Sequence, residues 1–292
     1  MPVRHVAWCP LASLRVVAVC VGKAVHLFSP GVGSPEQEER AREAIHLPGG
    51  AGPGLDDPEA LCQWAPSDKV TGGLMLAHRH AVRHATWHAR GDYLASVCPE
   101  GNTQSVLVHQ LSKRATQNPF RKSKGRVTRV LFHPSKPFFF LATQNSVRVY
   151  NLAKQELAKK LLGGSGSITS MAIHPSGDHV IVGAEDKRVC WYDLDLSTKP
   201  YRTMRYHTTP VQATAFHSRY PLFASAADDG TCQVFHGMVY QDLVNNPLIV
   251  PVKILRGHDI VDYQGVLDCA FHPTQPWIFT AGADGNCHLY CN

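Results

Sequence analysis

The stretch VTRVLFHPSKPFFFLATQNSVRVYNL, residues 127–152, holds three short apolar runs separated by turn signals. Its first run ends in a bulky residue followed by His-Pro, its second is an unbroken apolar string, and its third alternates. Short runs rich in Val, Phe, Tyr and Thr, bounded by turn residues, read as strands. The opening run recurs. Copies stand at 3–10 (VRHVAWCP), 82–89 (VRHATWHA), 127–134 (VTRVLFHP), 168–175 (ITSMAIHP), 211–218 (VQATAFHS) and 266–273 (VLDCAFHP). Their bulky residues, Trp8, Trp87, Phe132, Ile173, Phe216 and Phe271, are spaced by 79, 45, 41, 43 and 55 positions.

From the second copy on, each is followed by a second strand-like run (YLASVC, FFFLAT, HVIVGA, LFASAA, WIFTAG) and then a third (SVLVHQL, SVRVYNL, RVCWYDL, TCQVFHG, NCHLYCN). Dipeptides such as Asp229-Gly230 and Asp284-Gly285 suit the positive φ of the turns between them. Three short strands, a variable fourth segment and a period just above 40 predict β-propeller blades. One blade cannot cover both of its faces, so neighbouring blades must supply the core. The expected fold is all-β: a WD40-type β-propeller with six recognisable blades, forming a single domain over 1–292. QELAKK (155–160) can be read as a helical turn, but its place in the repeat assigns it to a fourth strand.

The long first spacing contains no second copy of the unit. Its middle is rich in Gly, Pro and Glu and predicts an acidic, low-complexity, poorly ordered insertion at about 30–70 in the first blade. The stretch 236–258 is apolar enough to be ordered. The chain begins on a first strand at Val3 and stops after a third strand, and Met1-Pro2 cannot supply the missing fourth. Six units therefore read as a seven-bladed ring lacking its first blade, or as a six-bladed ring closed in some other way. An open ring leaves strand edges and an apolar blade face exposed.

The 292 residues are 44% apolar and 18% charged, which excludes a coiled coil or a disordered chain. No apolar run is long enough to span a membrane. The N-terminus lacks the basic start, apolar run and cleavage site of a signal peptide. Nine Cys, without a CxxC pair, fit a reduced compartment. The net charge of +6 is uneven: residues 29–76 carry eight acidic and three basic side chains, so they hold −5 and the remainder +11. That balance favours acidic or polyanionic partners.

His88, His133, His174, His217 and His272 occupy one repeat position, which marks them as architectural. His258, Thr280 and Asp284, and likewise His207, Ser225 and Asp229, match the WD-repeat pattern in which a His, a strand Ser or Thr and a turn Asp share buried hydrogen bonds. On paper each set resembles a catalytic triad. Recurrence between blades favours a structural polar network instead. Tyr290 and Phe235 stand where that pattern has Trp. No metal-ligand spacing and no phosphate-binding glycine loop is present, so no catalytic residue, metal or cofactor is expected. An enzyme would need carboxylates or His converging from several blades, and no such carboxylate repeats. The one charge cluster is KRATQNPFRKSKGR (113–126), with Lys113, Arg114, Arg121, Lys122, Lys124 and Arg126, no acid, and Phe120 inside. By repeat position it starts after a third strand and runs along an outer fourth strand. It is a candidate nucleic-acid contact in which Phe120 either stacks on a base or packs inward. A solvated rim or a nuclear-import signal is the other reading.

The strings DLDLSTKPYR (193–202), HGMVY to GH (236–258), HPTQPW to GADG (272–285), GDYLA (91–95) and HQLSKR to PFRKSKG (109–125) resemble the C-terminal WD-repeat propeller of the block-of-proliferation family, also called eukaryotic ribosome biogenesis protein one. The resemblance spans the chain except for the acidic insertion. It implies a non-catalytic scaffold of the nucleolar PeBoW complex, required for maturation of large-subunit rRNA precursors. The implied partners are a second WD-repeat subunit, pescadillo, and pre-ribosomal RNA or large-subunit precursor particles, with no membrane or small-molecule substrate. The implied location is nucleus, nucleolus and nucleoplasm. The family's long N-terminal region, which engages pescadillo, is absent, so the chain reads as a fragment, a truncated gene model or a degenerate copy. A generic WD-repeat adaptor that binds a protein peptide in another nuclear complex is the alternative.

Overall fold

The computed structural model describes residues 2–50, 52–120, 122, 125–162, 166–240 and 247–291. They form six antiparallel sheets, and the fold is all-β with WD40-type propeller blades. The chain divides into two compact units, Met1–Thr143 with Tyr150–Gln155, and Gln144–Val149 with Glu156–Asn292.

In the first unit, β1 (Val3–Trp8), β2 (Val17–Val21), β3 (Ala24–Phe28), β4 (Gln63–Pro66) and β5 (Leu74–Ala77) make one sheet in the order β1-β2-β3-β5-β4. The next is β6 (His84–Trp87), β7 (Tyr93–Val97), β8 (Val106–Gln110) and β9 (Ala115–Gln117), in chain order. β10 (Val127–Phe132) then pairs with β11 (Phe138–Thr143). β12 (Ser146–Asn151) follows, and β13 (Glu156–Leu162) belongs to the second unit; Gln155 is in the turn before it and ELAKK is strand, as its repeat position requires.

The second unit holds β14 (Ile168–Ile173), β15 (His179–Ala184), β16 (Val189–Asp193) and β17 (Arg202–Met204) in one sheet. β18 (Val211–Phe216), β19 (Leu222–Ala227), β20 (Thr231–Met238) and β21 (Leu248–Arg256) make another. β22 (Val266–Phe271), β23 (Ile278–Gly282) and β24 (Cys287–Tyr290) make a three-stranded one. The stretch 236–258 is thus ordered over its described residues.

Burial explains the three run types. The second strands β11, β15 and β19 are buried almost throughout, so both of their faces are apolar. The outer strands β13 and β21 are mostly exposed. The first strands β1, β10, β14, β18 and β22 all break register at the same place, for example between Val127 and Arg129. A bulge there bends the strand and re-aims the following side chain.

The recurring His has a mechanical role at the turn after each first strand. Its Nδ1 accepts backbone N–H groups two and three residues on: Ser135 at 3.1 Å and Lys136 at 2.9 Å for His133, Arg219 at 2.9 Å and Tyr220 at 3.0 Å for His217, Thr274 at 3.2 Å and Gln275 at 3.0 Å for His272. His88 and His174 accept the second-residue amide in the same way, from Arg90 and Ser176. The imidazole satisfies turn donors that the ladder cannot reach.

The acidic segment departs from expectation. It contains a helix, α1 (Pro35–Ile45), and returns β4 to the sheet as a fifth strand outside β5. Ser34 and Gln37 form a reciprocal capping box, Pro35 opens the first turn, and Glu36 and Glu38 face the positive end of the helix dipole. Ala41 and Ile45 are buried in the first unit's core. The Glu run that read as disorder is the solvent face of a short helix whose apolar stripe is only two residues deep.

Large apolar side chains are exposed on the first blade and on the last, as well as along the outer strand β21. In the first unit, Val3, Val6 and Trp8 of β1 are exposed; in the second, Leu267, Phe279 and Leu289 of β22 to β24 are.

Gly265 marks the tightest backbone approach in the second unit. A Cβ there would lie 2.4 Å from the Gly230 nitrogen and 2.8 Å from the Asp228 carbonyl oxygen. Because these are backbone atoms, Gly265→Ala is expected to destabilise the chain by about 2 kcal/mol or more, read as a lower urea midpoint at unchanged m-value.

Candidate functional site

The structure places the basic segment differently from its repeat reading. The fourth strand is only Ala115–Gln117, and the charged end lies beyond it, in the connection to β10. Lys113 is exposed in the turn after β8, and Lys122 and Arg126 are exposed in the connection. Arg121 and Lys124 lie outside the described residues. Phe120 is buried at 7% exposure, its ring 4.7 Å from that of Tyr150 and 6.3 Å from that of Phe139, so it packs inward and offers no base a stacking face. Asn118 sets this up by accepting the Phe120 amide at 3.0 Å and donating to the Thr103 carbonyl at 2.9 Å.

Arg114 is drawn the other way. Its guanidinium donates to the carbonyls of His46 (3.0 Å from Nε), Glu43 (3.4 Å) and Leu111, and so caps the C-terminal end of α1. A cation there complements the helix dipole. The six basic residues therefore do not act alike: Arg114 is a tether, while Lys113, Lys122 and Arg126 face solvent.

The two His-hydroxyl-Asp sets come together in the second unit. His207 lies 3.0 Å from Asp229 through Nδ1 and 2.8 Å from the Ser225 hydroxyl through Nε2. His258 lies 3.1 Å from Asp284 and 2.7 Å from the Thr280 hydroxyl in the same sense. Each Asp also collects backbone donors: Thr208 and Thr231 for Asp229, Asp259 and Asn286 for Asp284. Burial alone would raise the Asp229 carboxyl, but the hydrogen bonds from His207, Thr231 and Thr208 outweigh it and hold it well below the usual range. Asp284 is held low by the Asn286 amide first and by His258 and Asp259 beside it. Ser225 is 0% exposed and Thr280 2%, so no substrate carbonyl can approach within reach of either hydroxyl. The sets act as struts that pin a turn to the second strand of its blade.

A longer relay in the first unit escaped the sequence reading. Trp64 Nε1–H donates to the Thr116 hydroxyl at 2.9 Å, and Thr116 lies 2.9 Å from His109 Nδ1. His109 Nε2 lies 2.8 Å from the Ser96 hydroxyl, Ser96 lies 2.8 Å from His78 Nε2, and His78 Nδ1 lies 2.9 Å from the Leu76 carbonyl. The carbonyl can only accept, which assigns the proton to His78 Nδ1 and runs every bond one way, from the indole to Leu76. Both rings are neutral in this chain. Burial pushes His78 down to about 4 and His109 well below the ordinary imidazole range. A signal for it exists: His78 precedes Val82 as His207 precedes Val211, and Ser96 in YLASVC matches Ser225 in LFASAA. The part contributed by Trp64 and Thr116 has no counterpart in the repeat.

Cys62 packs beside His78 and His109, with possible ligand atoms within 4.8 Å of one another. The relay already uses all four imidazole nitrogens, and burial pushes the Cys62 thiol up to about 12, so it stays protonated. This residue set fits a hydrogen-bond chain rather than a cation. Among the described residues no helix is long and apolar enough to cross a membrane.

Against known families, residues 155–193, 198–236 and 249–291 match the WD domain, G-beta repeat. A "Ribosome biogenesis protein BOP1 homolog" of Chlamydomonas reinhardtii is 64% identical over 100% of this chain and 36% of its own length. The chain is a WD-repeat region of the BOP1 family of ribosome biogenesis proteins. "Ribosome biogenesis protein bop1" of Danio rerio is 51% identical over 99% of the chain and 37% of its own length, and "bop1-B" of Xenopus laevis is 49% identical over 99% and 40%. The chain thus spans less than half the length of these BOP1 relatives.

Ser96 is the midpoint of the relay, and Ser96→Ala strands a nitrogen on each of His78 and His109. The expected cost is about 2 kcal/mol by chemical denaturation. Acid acts on the same groups. An imidazole held below its unfolded value of 6.5 contributes stability that is fully present above pH 6.5 and is lost as pH falls toward about 4. Thermal melts are therefore expected to show a falling Tm between pH 6.5 and 4, with a shallower fall in His78→Gln.

Proposed function

We propose that this chain is a non-catalytic scaffold for assembly of the large ribosomal subunit. Its exposed basic segment contacts ribosomal RNA in precursor particles. The observation that carries the RNA contact is the exposure of Lys113, Lys122 and Arg126 in a stretch, 113–126, that contains no acidic residue. Exposed cations on an acid-free segment neutralise phosphates and release counterions, which gives affinity without base readout. Arg121 and Lys124 belong to the same segment in sequence. The neutral relay and the buried struts add no reactive group, which supports a passive platform. The names of the relatives support a place in ribosome biogenesis. On this reading the chain acts in the nucleolus and nucleoplasm within the PeBoW complex, beside a second WD-repeat subunit, in maturation of large-subunit rRNA precursors. Pescadillo is engaged through a region outside this chain.

The test is charge reversal at Lys113, Lys122 and Lys124 together, with sedimentation of the full chain against large-subunit precursor particles. RNA contact predicts loss of co-sedimentation at physiological salt and a salt-dependence slope smaller by about 1 per contact removed. Unchanged co-sedimentation and slope would discard the RNA contact. Retention of particles together with loss of a protein subunit would favour the peptide-adaptor reading.

A further inference from the structure

Between β21 and β22 the chain makes a two-residue hairpin closed by paired backbone hydrogen bonds. Val261 N–H donates to the Gln264 carbonyl and Gln264 N–H to the Val261 carbonyl, both at 2.9 Å. Its central residues, Asp262 and Tyr263, have φ of +49° and +62°. Two successive positive φ values define the turn that ordinarily takes Asn-Gly or Asp-Gly. Tyrosine is a poor residue for that conformation, because its Cβ crowds the following carbonyl.

The surroundings hold the strained turn in place. At its start, Asp259 N–H donates to Asp284 at 3.3 Å. At its end, Gly265 N–H donates to Asp228 at 3.4 Å, the Gly265 carbonyl accepts from Ala283 at 2.8 Å, and no Cβ would fit at Gly265. On this fixed base Tyr263 is 94% exposed, Ile260 56% and Val261 42%. A large aromatic side chain is thus held rigidly outward at a conformational cost, and it gains no packing within the described residues. Backbone strain of this kind persists where the presented side chain has a use.

We propose that residues 259–264 are a preformed recognition loop that places Tyr263 in an apolar cup on a protein partner, with Ile260 and Val261 packing at its rim. Rigid presentation lowers the ordering cost of binding, and tyrosine is a frequent central anchor of interfaces. The partner is a protein and not RNA. Asp259 and Asp262 share the loop with Tyr263, and residues 257–265 contain no Lys or Arg, so the loop repels phosphates. The cup is expected to have a neutral or basic edge to match the two carboxylates. This inference does not depend on RNA contact at the basic segment.

The experiment introduces the photo-crosslinker p-benzoylphenylalanine at position 263 of the full chain in cells. A parallel set purifies the unlabelled chain carrying Tyr263→Gly or Tyr263→Phe. The proposal expects crosslinks concentrated on one protein. Recovery of that same protein should fall at least tenfold with Tyr263→Gly and stay within twofold with Tyr263→Phe. Glycine adopts the positive φ freely, so the Tm of Tyr263→Gly should hold or rise by up to about 3 °C. Crosslinks to RNA, crosslinks scattered over many proteins, or no crosslinks would overturn the proposal. So would unchanged recovery with Tyr263→Gly, or a clear drop in its Tm, which would make the tyrosine a structural residue.

Discussion

The second strand of each blade has no side on which water is welcome. Phe139, Phe140 and Leu141 of β11, Val180, Ile181 and Val182 of β15, and Phe223 and Ala224 of β19 are all buried. A sheet whose central strand is apolar on both faces cannot stand alone, and it is stable only with another layer against each face. Repetition follows from that constraint, and so does the polarity of the outermost strands, which are the part of each blade that meets solvent. Where no layer covers a blade face among the described residues, as at Trp8 and Phe279, large apolar side chains stay exposed.

Polar groups inside such blades must be satisfied internally, and the structure does this in two ways. Where a turn supplies an Asp, as at Asp229 and Asp284, a His bridges the carboxylate to a strand hydroxyl and pins the turn. Where none is supplied, the His78 and His109 rings pass hydrogen bonds from the Trp64 indole to the Leu76 carbonyl without any ionised group. Both arrangements rigidify a blade. Their buried hydroxyls keep a constellation with the composition of a hydrolase triad out of reach of a substrate. The function proposed here rests instead on surface: an acid-free basic connection in the first unit and an outward tyrosine hairpin in the second.

Much of this was legible in the residues. The period, the three run types and the bulky residue before each recurring His identified blades, because burial on both faces leaves a continuous apolar string that no other strand needs. The His207 and His258 sets were legible because in both a strand hydroxyl stands four positions before a turn Asp, Ser225 before Asp229 and Thr280 before Asp284, with a His ahead of the blade's first strand. The basic segment was legible as charge but not as geometry. Arg114 reads like its neighbours, yet it caps a helix formed far away in sequence, and Phe120 reads like a stacking residue, yet it fills a gap beside Tyr150. The helix at Pro35–Ile45 was missed because its composition is that of a solvated tail. Only docking of Ala41 and Ile45, with a capping box at one end and Arg114 at the other, makes it stable.

The sequence by itself determined the repeating module, its strand pattern and the kinship with ribosome biogenesis proteins, since these depend on local periodicity and on strings of adjacent residues. Tertiary structure alone decided which cations are tied down and which are free, how two histidines share one directed chain of hydrogen bonds, and which side chain is held outward against its backbone preference. Those outcomes depend on tertiary contacts such as Arg114 with His46, 68 positions apart, and Trp64 with Thr116, 52 apart, and no local pattern encodes the distance between such residues.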